Sequence, residues 1–529
     1  MLIIRMVGWT KWTSLLCLAA AVGAQETPVL RVNTRLVEVD VVVHSKGSVV
    51  ADLNQDDFTV LDNGKPQKIA SFNVVSSKTA AGKSIPLPPG AVSNRIITSG
   101  SEPAGTTVVL YDTLNTATED QSWARQEMLR YLGTLERGDH FALYSLGKFL
   151  RVIQDFTDDP ERIRQAARRS GPESSADRTA DDLTADLLAS APDLGDDIAN
   201  GLQQNAIMMM QDNAQVNRAV ITGKAMELIA KHLQGLPGRK KLIWISSSFA
   251  AQTTDTRSHN GRPTIEHKDF SREIEKAVHA LNDANVAVYP IDPTPIQQLD
   301  PGFLRPGIDA MNLFAGGTGG RAFYVINDVA KAIQTAVQDT EITYALGFYP
   351  VDIKLDGSYH SLSVKVARKG VDLRARKGYF ATDLKQPTEK QTLESLRDIF
   401  ATPLEATGIG MTARLDPHPR QPGVQQLTMT FNLQELHLEK EKSNWVALIH
   451  LATYFPSAAK PNGTEESIKL TLTEQRLKES LANGYTILRL IIVGNRKGDL
   501  RLAVQDRVTG VAGSVKLTLV GQNSPTNGQ

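Results

Sequence analysis

The chain has 529 residues, 41% of them hydrophobic and 22% charged, a globular composition long enough for about three or four domains at roughly 150 residues each. Its 58 basic and 58 acidic side chains cancel, which excludes a global field that would recruit nucleic acid or an anionic membrane surface. The single cysteine, Cys17, is spent early, as the first segment shows.

Residues 1–24 read as a secretory signal peptide. Arg5 and Lys11 precede the apolar run Ser14–Val22, and Val22-Gly23-Ala24 is a small-residue cleavage pattern before Gln25. The run is short for a bilayer, and no later segment offers the roughly 20 continuous apolar residues of a transmembrane helix. Export to a periplasmic, cell-surface or extracellular location is the expectation. Cleavage removes Cys17, leaving no residue for thiol catalysis or a thiolate zinc site.

Residues 28–76 form an N-terminal β-module. Val29–Val43 reads VLRVNTRLVEVDVVV, alternating and rich in β-branched residues. Phe58–Leu61 follows, and Asn63-Gly64 marks a hairpin turn before Ile69–Val75. Residues 77–104, rich in Ser, Pro and Gly, read as a linker.

From 105 to 340 strands alternate with helices. Strands are expected at Thr106–Tyr111, His140–Leu146, Lys241–Ile245 and Val286–Ile291, and helices at Glu119–Leu135, Val220–Leu236, Phe270–Ala284 and Val329–Val337. The fold class is α/β plus β: a mostly parallel sheet with helices on both faces, flanked by the β-module and a C-terminal β-sandwich. Residues 158–217 read as an insertion with acidic clusters and a Met208-Met209-Met210 run, assigned to helix packing rather than to a soft metal.

Strands return at 341–382, with a turn at Leu355–Ser358, and are expected to complete the N-terminal module. A linker and short helix (383–404), a β-sandwich (405–520) and a polar tail (521–529) end the chain. The basic residues Lys365, Arg368, Lys369, Arg374, Arg376 and Lys377 read as a solvated sheet face, and His360 as an ordinary surface residue.

Parallel sheets present ligands at the carboxyl ends of their strands, and LYDTLNT (Leu110–Thr116) puts Asp112 at one such end. Three readings are open: a metal site, a phosphoryl-transfer nucleophile, or an Asp pinning a turn. The nucleophile reading fits Asp112 and Thr116, yet Leu114 stands where that chemistry needs a general acid. GxSxG, HExxH and GxxxxGK[ST] motifs are absent from the sequence. Gly316–Gly320 lacks a phosphate-loop lysine.

Five ordered motifs carry a resemblance: VVLYDTLNT, LPGRKKLIWISSSF (Leu236–Phe249), VAVYPIDP (Val286–Pro293), FAGGTGGRAFYVIND (Phe314–Asp328) and YALGFYP (Tyr344–Pro350). With Leu36–Phe72, they resemble the von Willebrand factor A-related family of secreted proteins of acidobacterial type. The resemblance implies a doubly wound, Rossmann-like A-type domain used for adhesion or scaffolding, docking a protein or glycan partner. It also implies a divalent ion, Mg²⁺ (or Mn²⁺ or Ca²⁺), held in a metal-ion-dependent adhesion loop by Asp112, Thr116 and Thr222. The loop is degenerate, because Leu114 replaces a hydroxyl and Ser246 and Ser247 stand where an aspartate is expected. Asn115, Ser246 and Ser247 are then candidates for partner contact. The same glycines, Gly316–Gly320, are implied to form a tight loop. The alternative is a Mg²⁺-dependent phosphohydrolase with Asp112 as nucleophile.

Overall fold

The computed structural model describes residues 36–46, 48–76, 87–95, 105–136, 140–170, 216–247, 251–259, 262–296, 307–339, 342–350, 356–382, 387–455, 462–494 and 497–519. The signal segment, Cys17 and Met208–Met210 lie outside them, as does most of the expected insertion.

The first strands are β1 (Val37–Ser45), β2 (Ser48–Val49), β3 (Phe58–Asp62), β4 (Lys65–Gln67) and β5 (Ile69–Ser76). Between β3 and β4, Asn63 and Gly64 both have positive φ, 47° and 78°, as a two-residue hairpin of primed type requires. Within the stretch read as linker, β6 (Val92–Ser93) adds to a distant sheet by pairing with Thr412 and Ala413.

The α/β region follows. Its elements are β7 (Thr106–Asp112), α1 (Thr118–Leu132), β8 (His140–Leu146), β9 (Leu150–Thr157), α2 (Pro160–Arg169), α3 (residues 216–233), β10 (Lys240–Ile245), β11 (Gln252–His259), β12 (Arg262–Asp269), α4 (Ser271–Asp283), β13 (Val286–Ile291), α5 (Ile308–Thr318) and α6 (Val329–Gln338). The sheet order is β13-β10-β7-β8-β9, parallel except for the edge strand β9. Each parallel strand is buried on both faces, so its sequence is a continuous apolar run without alternation. Val108, Leu110, Trp244 and Val288 pack with Met226, Ile274 and Phe314 of α3, α4 and α5. Their neighbours Val109, Tyr111, Ile243 and Tyr289 pack with Met128, Ile163 and Ile333 of α1, α2 and α6. Helices therefore cover both faces.

Several expectations change here. Helix α2, expected to lie in an insertion, is an integral covering helix: Pro160 sits in its first turn, Asp159 caps it, and Ile163 and Ala167 are buried against the sheet. Gly316 and Gly317 belong to the end of α5 and not to a loop, with Gly319 in the left-handed C-cap conformation at φ 75°. A Cβ on Gly317 would sit 2.6 Å from a Val278 methyl, so close helix packing outweighs the low helix propensity of glycine. Strands β11 and β12 form a separate two-stranded hairpin.

After the α/β region come β14 (Ile342–Phe348), β15 (Asp356–Val366), β16 (Asp372–Arg374) and β17 (Gly378–Thr382). The turn expected at Leu355–Ser358 is instead the start of β15, since Asp356 pairs with Thr382. Strand β14 lies between β1 and β5, β16 extends the other side of β1, and β15 pairs with β3 and β17. Segments on either side of the α/β region thus share two sheets and one core, with Val39, Phe58, Tyr344 and Phe348 buried together. The Tyr344 hydroxyl donates to the Val50 carbonyl (2.8 Å) and accepts from the Leu53 N–H (3.2 Å).

The expected solvated basic face holds for Lys365, Arg368, Lys369 and Lys377, which are exposed, while Arg374 and Arg376 are partly buried in internal contacts. Arg368 pairs with Asp52, Arg374 with Asp339 and Asp372, and Arg376 donates to the Glu38 carbonyl. His360 is partly buried against a buried carboxylate: its Nδ1 lies 2.8 Å from Asp62, which also accepts from the Tyr379 hydroxyl. These partners are 298 residues apart in sequence, beyond any local pattern.

The C-terminal region starts with α7 (Glu389–Ala401), opened by a Thr388/Gln391 capping box. Then come β18 (Met411–Pro417), β19 (Val424–Phe431), β20 (Glu439–Glu441), β21 (Asn444–Phe455), β22 (Asn462–Leu472), α8 (Glu474–Asn483), β23 (Tyr485–Ile492), β24 (Gly498–Asp506) and β25 (Ala512–Leu519). One sheet runs β23-β19-β18-β6; the other runs β20-β21-β24-β25, with β22 also on β21. Leu427, Phe431, Ile449, Leu502 and Val515 fill the space between them.

Side chains tie these regions together. Arg239 donates to the carbonyls of Asp40 (3.0 Å) and Gly319 (2.8 Å), and Asn285 Nδ2 donates to Asp40 (2.8 Å). At the other junction, Asn94 Nδ2 donates to the Ala406 and Ile409 carbonyls, both at 2.7 Å. Thr407 Oγ1 accepts from the Gly235 N–H (2.9 Å) and donates to the His232 carbonyl (2.6 Å).

Candidate functional site

Asp112 is the last residue of β7, central in the sheet, and the chain turns immediately after it. The Thr113 and Leu114 N–H groups both donate to the Leu146 carbonyl, at 2.8 and 3.0 Å, bending the chain toward β8. Asn115 N–H then donates to Asp112 Oδ1 at 3.0 Å, an Asp-centred turn of the kind short acidic side chains favour. Leu114 packs on the core beneath.

The other carboxylate oxygen collects three donors. Asn115 Nδ2 lies at 2.8 Å, Trp244 Nε1 at 2.9 Å and Ser246 Oγ at 2.9 Å. Asn115 Nδ2 also donates to Thr222 Oγ1 on α3 at 2.8 Å. Asp112, Asn115, Thr222 and Ser246 are thus one network, fully buried but for a sliver of Asn115. Thr116 is buried beside it, and its Oγ1, like Asn115 Oδ1, has no hydrogen-bond partner among the described residues. Burial pushes the Asp112 carboxyl above its ordinary range, against the opposite pull of the Asn115, Trp244 and Ser246 hydrogen bonds.

Ser247 lies in a neighbouring cluster. Its hydroxyl is 3.4 Å from that of Thr294, which donates to Asp120 Oδ2 at 3.0 Å, while the Thr294 N–H donates to Asp292 at 3.0 Å. Trp244, Thr294, Asp120 and Asp292 are residues the sequence did not single out. For Trp244 one signal exists: a buried indole N–H needs an acceptor, and the parallel register sets Trp244 against Leu110, two residues before Asp112.

Whether this site suits a divalent ion follows from the chemistry of its groups. Mg²⁺ takes a near-octahedral shell of oxygens, and two negative charges would balance it. Here one carboxylate is present, and three of the four groups on it are N–H donors. The indole N–H cannot act as a ligand at all, and an Asn115 amide turned the other way would face its oxygen toward the carboxylate. Among the described residues, no group of three or more His, Cys, Asp or Glu side chains could hold a metal. The site is built to hydrogen-bond a carboxylate, and Mg²⁺ does not fit it as arranged.

No protein-family model matches the chain, and no curated protein does. Solved structures overlap parts of it. BatB from Bacteroides thetaiotaomicron is 14% identical over 45% of this chain and 100% of its own, with a TM-score of 0.27. The vWF domain of the type V pili tip protein Mfa5 from Porphyromonas gingivalis is 9% identical over 45% and 94%, TM-score 0.27. Proximal thread matrix protein 1 from the mussel byssus, with a zinc-occupied MIDAS motif, is 11% identical over 45% and 48%, TM-score 0.24. Overlap this slight transfers neither ligand nor metal to this chain.

Proposed function

We propose that this is an exported, non-catalytic interaction protein, built on an A-type, doubly wound domain whose carboxyl-end loop is held by hydrogen bonds in place of a divalent ion. The observation that carries the reading is the Trp244 indole N–H donating to Asp112. A donor-only group in the carboxylate's shell takes the place a cation would occupy. Export rests on the N-terminal signal pattern; no helix among the described residues is long and apolar enough to cross a membrane.

In this reading Asp112, Thr116 and Thr222 support the loop. Asn115 and Ser246, both buried, stiffen it without reaching the partner. A protein or glycan partner meets side chains that are exposed on the same edge. Phe323 bridges Ile291, the last residue of β13, so Tyr324 and Val325 follow at the sheet's carboxyl side, 38% and 50% exposed. Val325 has φ 57°, an uncommon conformation for a β-branched residue and of the kind retained at functional loops.

The competing phosphohydrolase reading requires Asp112 to attack phosphorus, which a carboxylate enclosed by four donors is not free to do. A generic phosphomonoester assayed with Mg²⁺ is expected to show no turnover above that of Asp112→Asn. Mg²⁺-dependent hydrolysis abolished by that substitution would replace the interaction reading with the enzymatic one.

A further inference from the structure

The C-terminal sandwich is closed along one side, where β25 packs on β18 and β6. Among the described residues it is open along the other. There β22 pairs only with β21 and β23 only with β19 among the described residues. A cavity of about 500 Å³ opens between these two outer strands, lined by Leu427, Met429, Leu451, Phe455 and Ile491. Thr464 and Glu466 share the strand face of Leu470 and Leu472, which are buried, yet both are exposed. Among the described residues the core is therefore uncovered at this edge.

Strand β23 sends Ile487 inward and sets Leu488, Leu490 and Ile492 on the outer face, 55%, 59% and 76% exposed. Their partners on β19 are Thr428, Gln426 and Val424, all uncharged. Monomeric sheet proteins blunt an outer strand with lysine, proline, a bulge or short length. Strand β23 has eight residues, unbroken register with β19, and neither lysine nor proline. Its one charge, Arg489, lies 3.3 Å from Glu466.

We infer that β23 is an interface between two copies of this chain. Two β23 edges pair antiparallel about a two-fold axis, joining two four-stranded sheets and bringing the two Leu488-Leu490-Ile492 stripes side by side. The free N–H and C=O groups of an outer strand are matched by another polypeptide strand and by no small apolar ligand. A second copy supplies both the matching edge and the matching stripe, as an isologous contact requires. Charge agrees, because each Arg489 carries its own Glu466, so two copies meet without net repulsion.

The test is sedimentation velocity of the full mature chain over a wide concentration range, with Leu490→Lys, Ile492→Lys and, as a control at a distant exposed site, Phe149→Lys. The expected result is a dimer for wild type and Phe149→Lys and a monomer for both β23 variants, with thermal melting by circular dichroism unchanged. A monomeric wild type at every concentration overturns the inference. So does a dimer that persists in both β23 variants, or one lost equally in Phe149→Lys.

Discussion

Asp112→Ala is expected to lower the unfolding free energy by roughly 3 kcal/mol, because it strands several buried donors at once. The Asn115 N–H, Asn115 Nδ2, Trp244 Nε1 and Ser246 Oγ all converge on this carboxylate. The total falls short of four full penalties, since removing the carboxylate also removes the cost of burying it. Asp112→Asn keeps the shape but turns an NH₂ toward donors, and should cost about 2 kcal/mol by the same argument. The pH dependence has a definite sign. Burial raises the folded carboxyl above its ordinary value of 3.8, so the native state holds this proton more tightly than the unfolded chain does. Its contribution is complete below that value and is lost as pH rises through the raised folded one. The advantage of wild type over Asp112→Asn, read from urea midpoints, should therefore be largest in acid and shrink toward neutrality. An advantage that grows with pH would show that the hydrogen bonds outweigh burial.

Gly235→Ala should uncouple the C-terminal sandwich from the α/β region, at a cost of about 3 kcal/mol from forced overpacking. Gly235 lies just past α3, its N–H bonded to Thr407 and its carbonyl to Arg95. A Cβ there would press into the Thr407 carbonyl, whose carbon is 2.6 Å away. The Arg95 guanidinium, 2.5 Å from the same Cβ, can swing aside, but the Thr407 backbone cannot. Scanning calorimetry should show the melting of the variant split or shifted downward, with Asp112 and its donors, remote from this contact, melting with the α/β region. A single transition at the wild-type temperature would mean that the junction relaxes freely.

The sequence was most legible where one physical signal dominates. Apolar runs without alternation marked β7, β8, β10 and β13, because a strand buried on both faces has no polar side to show. LYDTLNT marked the end of β7 and brought Asp112 and Asn115 to attention, the family resemblance added Thr222, and these three do share hydrogen bonds. The missing parts depend on contacts distant in sequence. Trp244 reaches Asp112 across 132 positions, and only the strand register reveals it. Strands β11 and β12 read QTTDTRSH and RPTIEHKD, with too little apolar alternation to register as strands. Strand β6 is two residues long, held by Asn94 rather than by its own pattern. Gly316 and Gly317, which the resemblance implied to be loop residues, are helical, with Val278 and Lys377 packed against them from distant parts of the chain.

Titration calorimetry of Mg²⁺ and of Mn²⁺ into the purified mature protein, beside Asp112→Ala, tests the central claim most directly. A loop completed by Trp244 and Asn115 predicts no saturable heat in either protein and a melting temperature indifferent to chelator. Saturable binding by wild type that disappears in Asp112→Ala would contradict it, because the indole and amide donors would then have to give way to a cation.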